Sequence, residues 1–498
     1  RLLEAANMDH TTVGKKTYDT IGSIEAVRKL PRGLHRDIRK ATALARRFCD
    51  EVVRPHCKNV DLQVTGDNDY IPEDFIREAC RWGLYTLWIP KLFGGKGMHF
   101  LSLYLFIEEI SSVCAGLANV LSVHYLGLCV LFASCNLKII NRILREVVRE
   151  EKKGKACLIS LSWTEPDAGT DQQEEELIHK AKVQTLAVKT QGGYIVNGRK
   201  IFISGGHFST WHITVCYEDL KHPGENIIML AVKNGMKGFS FGHREKKMGQ
   251  KACVASELIY DDCFVPDDCV CLSQERLTPF GMDLKELNMR IINLFTPISR
   301  TGVASIATGI ARGAYELAMD YAVNKTIDGE RFINLQWVQT HLAEMYKNYA
   351  MSRATVLESA YTNTQKSRMI SMLFRRDAFF IINLLPRMFF TIFVAPFMKL
   401  KIVNRLYLKM TIGGDYSGNR LASGIGSLIK FGCSDISVTN SCLAMELMGA
   451  DGTRYDMGAE KFLRDAKLLQ IYEGTNEVNR VNLFHTIAPH TPEIKIFQ

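Results

Sequence analysis

The chain has 498 residues, 47% of them apolar and 23% charged. That balance is ordinary for a folded soluble protein and excludes collagen-like and wholly disordered classes. At about 150 residues per domain the length suggests roughly three domains. Lys and Arg exceed Asp and Glu by 62 to 53, a formal net charge of +9. The excess is modest, so its placement matters more than its size.

Fourteen cysteines are too few for a disulfide framework in a chain this long, and reduced thiols in an intracellular compartment are expected. No CxxC pair occurs. Cys253, Cys263, Cys269 and Cys271 cluster without a neighbouring histidine, and His485 and His490 have no cysteine pair close before them. No metal is expected at either place. The sequence begins at Arg1 without an apolar signal-like segment near it; we expect that a leader has been removed or the start trimmed.

Residues 1–29 read as an N-terminal extension and 30–155 as an N-terminal helical domain. Between Pro31 and Val53, Leu34, Ile38, Leu44, Ala45 and Phe48 recur at spacings close to a helical period among Arg and Lys. Leu101 to Leu131 is mostly apolar, broken chiefly by Glu108-Glu109, as in a helical region buried over most of its surface. A glycine-rich turn at 91–98 separates these runs.

From 156 to about 275 the pattern becomes that of a middle antiparallel β domain. Asn197-Gly198, flanked by β-branched and aromatic residues from Tyr194 to Ile203, predicts a hairpin. Short strands are predicted at 213–215, 227–232, 239–241 and 258–260. Helical periodicity returns after Leu287, and 276–490 reads as a C-terminal helical bundle. Ala304, Ala307, Gly309, Ala311 and Ala314 would allow close helix packing there. The fold class is therefore α+β with segregated layers.

One stretch stands apart, an insert at about 362–420. Lys366 to Lys409 holds nine Lys or Arg against one acid, Asp377. Within it, Ala378 to Met398 is rich in Phe, Ile, Leu, Met and Val but interrupted by Asn383, Pro386, Arg387 and Pro396. A spanning helix rarely carries an arginine near its middle. An interfacial segment with basic flanks suits the pattern better. We expect 366–409 to meet a membrane surface or a membrane complex. The plainer alternative is a core helix pair with a basic rim. Nucleic acid is not expected, because no recognition motif accompanies the charge.

Near the C-terminus stands Arg464-Asp465-Ala466-Lys467-Leu468-Leu469-Gln470-Ile471-Tyr472-Glu473-Gly474-Thr475-Asn476-Glu477. Gly474 predicts a left-handed helix stop and Thr475 or Asn476 a cap for the next helix. Glu473 at such a corner is placed for work as a base if partly desolvated; the plain alternative is a surface glutamate at a helix junction. A second piece, Trp163 to Asp171, gathers hydroxyls and turn amides suited to a polar, planar or phosphorylated ligand.

Four motifs in order resemble the acyl-CoA dehydrogenase family, over about 30–488. They are the Thr-Glu-Pro turn at 164–171, Asn-Gly-x-Lys-x-Phe-Ile at 197–203, Lys-Met-Gly at 247–249, and Arg-Asp-Ala-Lys…Ile-Tyr-Glu-Gly-Thr at 464–475. The resemblance implies a helix–sheet–helix subunit with FAD between the β domain and the C-terminal helices, completed by a neighbouring subunit. Glu473 falls on the catalytic base, which removes the α-proton while hydride leaves the β-carbon for flavin N5. Its backbone amide would help hold the thioester carbonyl. Some members carry the base beside an arginine on a C-domain helix. Here that neighbour is Ser299, before Arg300, so Glu473 remains the candidate. Thr164 and Ser204 fall on hydroxyls that bond the flavin ring, Phe202 on the aromatic packed against it, and Thr170 near flavin or CoA phosphates. Tyr472, Gly474 and Arg300 are implied at the substrate, and Thr475 and Glu477 at the cofactor.

The half-site that would serve a partner's FAD departs from the family. Lys325 replaces the usual arginine, keeping the charge but losing the bidentate fork. Gln336 lies in the same segment, Glu446 replaces a usual glutamine, and Gly449-Ala450 stands where Gly-Gly is common. A carboxylate about 5 Å from a diphosphate charge costs on the order of 3 kcal/mol at an effective dielectric near 20. A homo-oligomer would carry these changes in every site, whereas a heterodimer with a conventional paralogue would keep one site intact.

The expected function is FAD-dependent α,β-dehydrogenation of an acyl-CoA, with electrons passed to electron-transfer flavoprotein and the insert touching a membrane. The alternative is a homologue kept as a structural or assembly subunit of a mitochondrial inner-membrane respiratory complex, with little turnover. A family oxidase is a third possibility. The expected location is the mitochondrial matrix at the inner membrane, a bacterial cytoplasmic enzyme being the other fit.

Overall fold

The computed structural model describes residues 32–278, 281–366, 389, 393–394, 396–412 and 416–488. The N-terminal extension, His490 and most of the apolar run 378–398 lie outside the described residues.

The first domain is helical: α1 (Arg32–Phe48), α2 (Arg54–Gly66), α3 (Glu73–Arg81), α4 (Leu101–Ser111), α5 (Ala115–Ala133) and α6 (Leu137–Lys152). In α1 the predicted Leu34, Ile38, Ala45 and Phe48 are buried, Leu44 is half-buried, and Ala41 joins the inner stripe. A π turn at Cys49–Val53 joins α1 to α2, next to Pro55, whose missing N–H cannot close a helical hydrogen bond. The apolar run 101–131 folds as α4 and α5. By length and composition α5 could cross a membrane, but most of its surface is packed inside the protein.

The two acids that interrupt this run have a structural reason. Glu108 Oε1 pairs with Arg353 Nη2 at 2.6 Å and Glu109 Oε2 with Arg312 Nη1 at 3.0 Å, both buried. They tie α4 to α7 (Leu284–Asn324) and α8 (Gln336–Lys366) of the third domain.

The middle domain is an eight-stranded sheet: β1 (Ile159–Ser162), β2 (Leu186–Thr190), β3 (Gly193–Ser204), β4 (Trp211–Tyr217), β5 (Ile227–Lys233), β6 (Phe239–Arg244), β7 (Ala255–Pro266) and β8 (Val270–Leu272). Its order is β6-β7-β3-β2-β4-β5-β8, with β1 beside β4. Most pairings are antiparallel, but β1 and β2 both pair parallel with β4. The predicted hairpin at Asn197-Gly198 is corrected. β3 runs straight through both residues, with a register shift against β7 there. A Cβ on Gly198 would stand 2.7 Å from Thr185 Cα, so glycine admits the neighbouring chain. Asn197 exchanges hydrogen bonds with Asp262 on β7. The real β2–β3 turn falls at 191–192, since Thr190 pairs with Gly193.

In the third domain, α7 is capped by Asp283, whose Oδ1 accepts from Glu286 N at 2.8 Å. A small hairpin of β9 (Thr326–Ile327) and β10 (Glu330–Arg331) follows. Then come α8, α9 (Lys401–Ile412), α10 (Tyr416–Met448), α11 (Ala459–Leu469) and α12 (Asn476–Ile487). The small residues of α7 serve close packing: a Cβ on Gly309 would stand 2.5 Å from the Glu108 carbonyl oxygen. The β domain docks on α11 through the Lys-Met-Gly motif. Gln250 N donates to Asp465 Oδ1, and a Cβ on Gly249 would overlap the Arg464 carbonyl.

Candidate active site

The link between α11 and α12 makes a sharp corner. Glu473 and Gly474 are consecutive left-handed residues, with φ of +56° and +83°. For a non-glycine residue that conformation costs about 1–2 kcal/mol, so the surroundings must hold it. They do so through buried donors. Lys430 Nζ, on α10, donates to the Gly474 carbonyl at 2.5 Å and to Asn476 Oδ1 at 2.9 Å. Asn479 Nδ2 donates to the same carbonyl at 2.9 Å. Thr475 is the cap of α12, its hydroxyl accepting from Val478 N, while Asn476 is already helical. Burial pushes the Lys430 ammonium down to about 7, against the pull of Glu473.

The Glu473 side chain borders a cavity between α4, α5 and α7, of about 650 Å³ including its opening. The walls are apolar: Leu103 and Ile107 from α4, Leu126 from α5, and Ile298, Val303 and Ile306 from α7. The polar exceptions include Ser204, Ser299, Tyr472 and Glu473. Ser299 Oγ donates to Glu473 Oε2. Tyr472 donates to Gln250 Oε1 at 3.1 Å, which also accepts from Asn119 Nδ2 at 3.2 Å. Burial holds the Tyr472 phenol well above its usual range, so it remains a neutral donor. An apolar space with one carboxylate suits a ligand with a hydrocarbon part and a reactive polar end.

The β-domain turn meets this corner. A Cβ on Gly474 would stand 3.1 Å from Thr170 Cγ2. Thr164 sits one residue from a buried ion pair, Glu165 Oε1 to Lys200 Nζ at 2.6 Å, with both side chains fully buried. Lys200 also donates to the Trp163 carbonyl at 2.8 Å, and Ile201 N donates to the Thr164 carbonyl at 2.9 Å. The turn is thus fastened to β3 on both sides of Thr164. Two residues further along β3, Phe202 has φ +58° and is 56% exposed.

The structure brings together Glu473, Tyr472, Ser204 and Ser299 at the cavity, with Gly474 and Thr170 in contact beside it. Arg300 does not line this cavity. The neighbouring position on a helix points about 100° away, and Arg300 is buried against Glu174 Oε1 at 2.7 Å and Ser427 Oγ at 2.8 Å. It ties α7 to α10 instead. Glu477 is exposed on the first turn of α12. Lys325, Gln336, Glu446 and Gly449 also lie apart from the cavity, and all but Lys325 are exposed. Lys325 Nζ lies 3.4 Å from Asp451 Oδ2, so its charge is already met by a carboxylate. Sequence reasoning missed Glu165, Lys200, Lys430 and Asp451. Glu165 and Lys200 stood inside quoted motifs, while a lysine in the apolar setting of Gly426–Cys433 was the available signal for Lys430.

Sequence models of acyl-CoA dehydrogenase domains match in order along the chain: the N-terminal domain over 35–151, the middle domain over 160–263, and the C-terminal domain over 289–373 and 405–487. The chain belongs to the acyl-CoA dehydrogenase family. A probable acyl-CoA dehydrogenase of Mycobacterium leprae is 25% identical over 453 residues, covering 91% of this chain and 95% of the relative. An acryloyl-CoA reductase (NADH) of Anaerotignum propionicum is also 25% identical, over 459 residues, covering 92% and 96%. The solved butyryl-CoA dehydrogenase of Megasphaera elsdenii shares the fold, with a TM-score of 0.69 at 22% identity, covering 92% of this chain and 99% of that one.

Acyl-CoA dehydrogenases are FAD-dependent oxidoreductases acting on CH–CH bonds. The residues beside the cavity fit a flavin ring. Phe202 offers an exposed aromatic face from a constrained backbone, and Thr164, Thr170, Ser204 and Thr475 supply hydroxyls on the elements around the corner. The surface at Lys325 and Glu446 fits a diphosphate less well, since the lysine is already paired with Asp451.

Proposed function

We propose that this acyl-CoA dehydrogenase homologue catalyses FAD-dependent α,β-dehydrogenation of an acyl-CoA thioester and passes the electrons to an electron-transfer flavoprotein. The observation that carries the reading is the Glu473 carboxylate on a braced left-handed corner at the edge of an apolar cavity. The acyl chain occupies the space between α4, α5 and α7. Glu473 accepts the α-proton, and Ser299 orients the carboxylate until substrate arrives. Bound FAD supplies the acceptor for the hydride leaving the β-carbon, giving the 2-enoyl thioester. Lys430 holds the corner, and the Glu165–Lys200 pair holds the turn bearing Thr164.

The test is the visible spectrum of the purified protein during anaerobic addition of acyl-CoAs of increasing length. A flavin band that bleaches with the native chain, and about 10²–10⁴-fold more slowly in Glu473→Gln, supports the reading. Equal rates in both would overturn the role of Glu473.

One observation favours a second reading, in which the homologue serves as a structural or assembly subunit with little turnover. Lys325 is engaged by Asp451 where a partner's diphosphate would need it, and Glu446 adds an exposed acid near the end of α10. A protein that stays colourless after FAD is supplied would favour that role.

A further inference from the structure

The C-terminal family match stops at residue 373 and resumes at 405, so α9 begins in a segment the family pattern does not include. Its inner side is moored. Tyr407, Leu408, Thr411 and Ile412 are buried. Asn404 Oδ1 accepts from Leu137 N at 2.7 Å, at the start of α6, and the Ile412 carbonyl accepts from Arg290 Nη1 at 3.0 Å. The outer side carries two parallel rows with a four-residue repeat. Ile402, Leu406 and Met410 are exposed in one, and Lys401, Arg405 and Lys409 are exposed in the other. At 3.6 residues per turn the rows lie about 100° apart, so the open half of the helix is apolar on one flank and cationic on the other. The turn before it adds exposed Phe397, Lys399 and Leu400. No acidic residue occurs from 396 to 412.

We propose that α9 is a membrane-docking helix that lies flat on an anionic bilayer, with Ile402, Leu406 and Met410 in the acyl boundary and Lys401, Arg405 and Lys409 among the headgroups. Charge complementarity selects this occupant. A second copy would bring the same acid-free cationic row against itself, whereas anionic lipid supplies negative charge and an apolar layer side by side. Exposed Lys138, on the first turn of α6 beside the Asn404 anchor, adds to the same charge. The proposal concerns a surface separate from the cavity and holds whether or not the protein turns over substrate.

The experiment is co-sedimentation of the full chain with vesicles of phosphatidylcholine alone and of phosphatidylcholine mixed with phosphatidylglycerol. Binding is expected only to the mixed vesicles and should fall steeply with salt, a readout that needs no variant. Each cation at such a surface contributes about fivefold, so Lys401→Glu/Arg405→Glu/Lys409→Glu should weaken binding by about a hundredfold or more. Ile402→Ser/Leu406→Ser/Met410→Ser should weaken it at unchanged charge. The serine variant should keep the wild-type melting temperature, because its three side chains are exposed. Equal binding to phosphatidylcholine alone, binding untouched by either triple change, or salt-insensitive binding would overturn the proposal. So would a loss of native mass in vesicle-free solution for the charge-reversed protein, which would assign the face to a second copy.

Discussion

Ser299 Oγ donates a hydrogen bond to Glu473 Oε2 across 174 residues of sequence, joining the middle of α7 to the corner before α12. The hydroxyl fixes one rotamer of the carboxylate facing the cavity. A hydrogen bond to a charged group is worth about 1.5–3 kcal/mol when nothing replaces it, but a half-buried site lets water replace part of it. Ser299→Ala is therefore expected to slow flavin bleaching by about fivefold to tenfold, with substrate affinity nearly unchanged. Stopped-flow reduction under saturating acyl-CoA measures this. An unchanged rate would mean that the serine only fills space.

Gly302 lies one turn along α7 from Ser299, lines the cavity, and has no atom within 4 Å of where a Cβ would stand. Gly302→Ala should be tolerated, and the helix should gain about 0.5–1 kcal/mol. Gly302→Leu should fill the cavity without disturbing its walls and shift the accepted acyl length downward. Each methylene denied burial is worth about 0.8 kcal/mol, so two displaced carbons correspond to about tenfold in kcat/KM for the longer substrate. A chain-length profile that does not move would show that the acyl group lies elsewhere.

Glu165 and Lys200 illustrate a buried pair whose halves depend on each other. Glu165 also accepts backbone hydrogen bonds from Gln184 and Thr185, so it organises the turn and the start of β2 together. Glu165→Ala would leave an uncompensated ammonium in a fully buried site, at a cost of about 3–5 kcal/mol. Glu165→Gln combined with Lys200→Met keeps an acceptor for the Gln184 and Thr185 amides and removes the ammonium, so it is expected to cost less. Urea midpoints would separate the two cases. Retention of FAD through gel filtration would fall in the single variant, because Thr164 loses its fastening.

The order helices, strands, helices was legible because each region keeps its hydrophobic period over many turns or strands, as Leu34 to Phe48 on α1 shows. The corner at 470–475 was legible too, since Gly474 and Thr475 are local signals of helix ends. What stayed hidden depends on neighbours distant in sequence. Asn197-Gly198 looks like a turn because asparagine and glycine tolerate unusual backbone angles. Here the glycine is used for a close approach to Thr185 inside a strand. Arg300 was implied at the substrate, yet the helix turns it toward Glu174 and Ser427 while Ser299 faces the cavity. Lys430 could not be linked to Gly474 by any local rule, because 44 residues separate them.

His124 and His212 predict how the fold responds to acid. His124 Nδ1 accepts from Ile159 N, leaving Nε2–H to donate to the Tyr85 carbonyl at 3.0 Å. His212 accepts from the Ser160 hydroxyl and donates through Nε2 to Asn234 Oδ1 at 2.8 Å. Both rings are buried and neutral, and burial lowers each from about 6.5 to about 4. A proton added to His124 Nδ1 would face the Ile159 N–H, so charging breaks a bond as well as burying a cation. The unfolded chain takes up these protons near pH 6.5 and the folded chain only near pH 4. Stability is therefore complete above about pH 6.5 and falls as the pH drops from there toward 4. The loss is roughly 3 kcal/mol per histidine across that window. Urea midpoints measured from pH 7 to pH 4 should trace this fall. Burial lowers His207 to about 4 as well, so His212→Gln, whose amide can still accept or donate at this site, should flatten the slope by about a third even if the variant is less stable at pH 7. A slope unchanged by the substitution would place the acid sensitivity in the carboxylates instead.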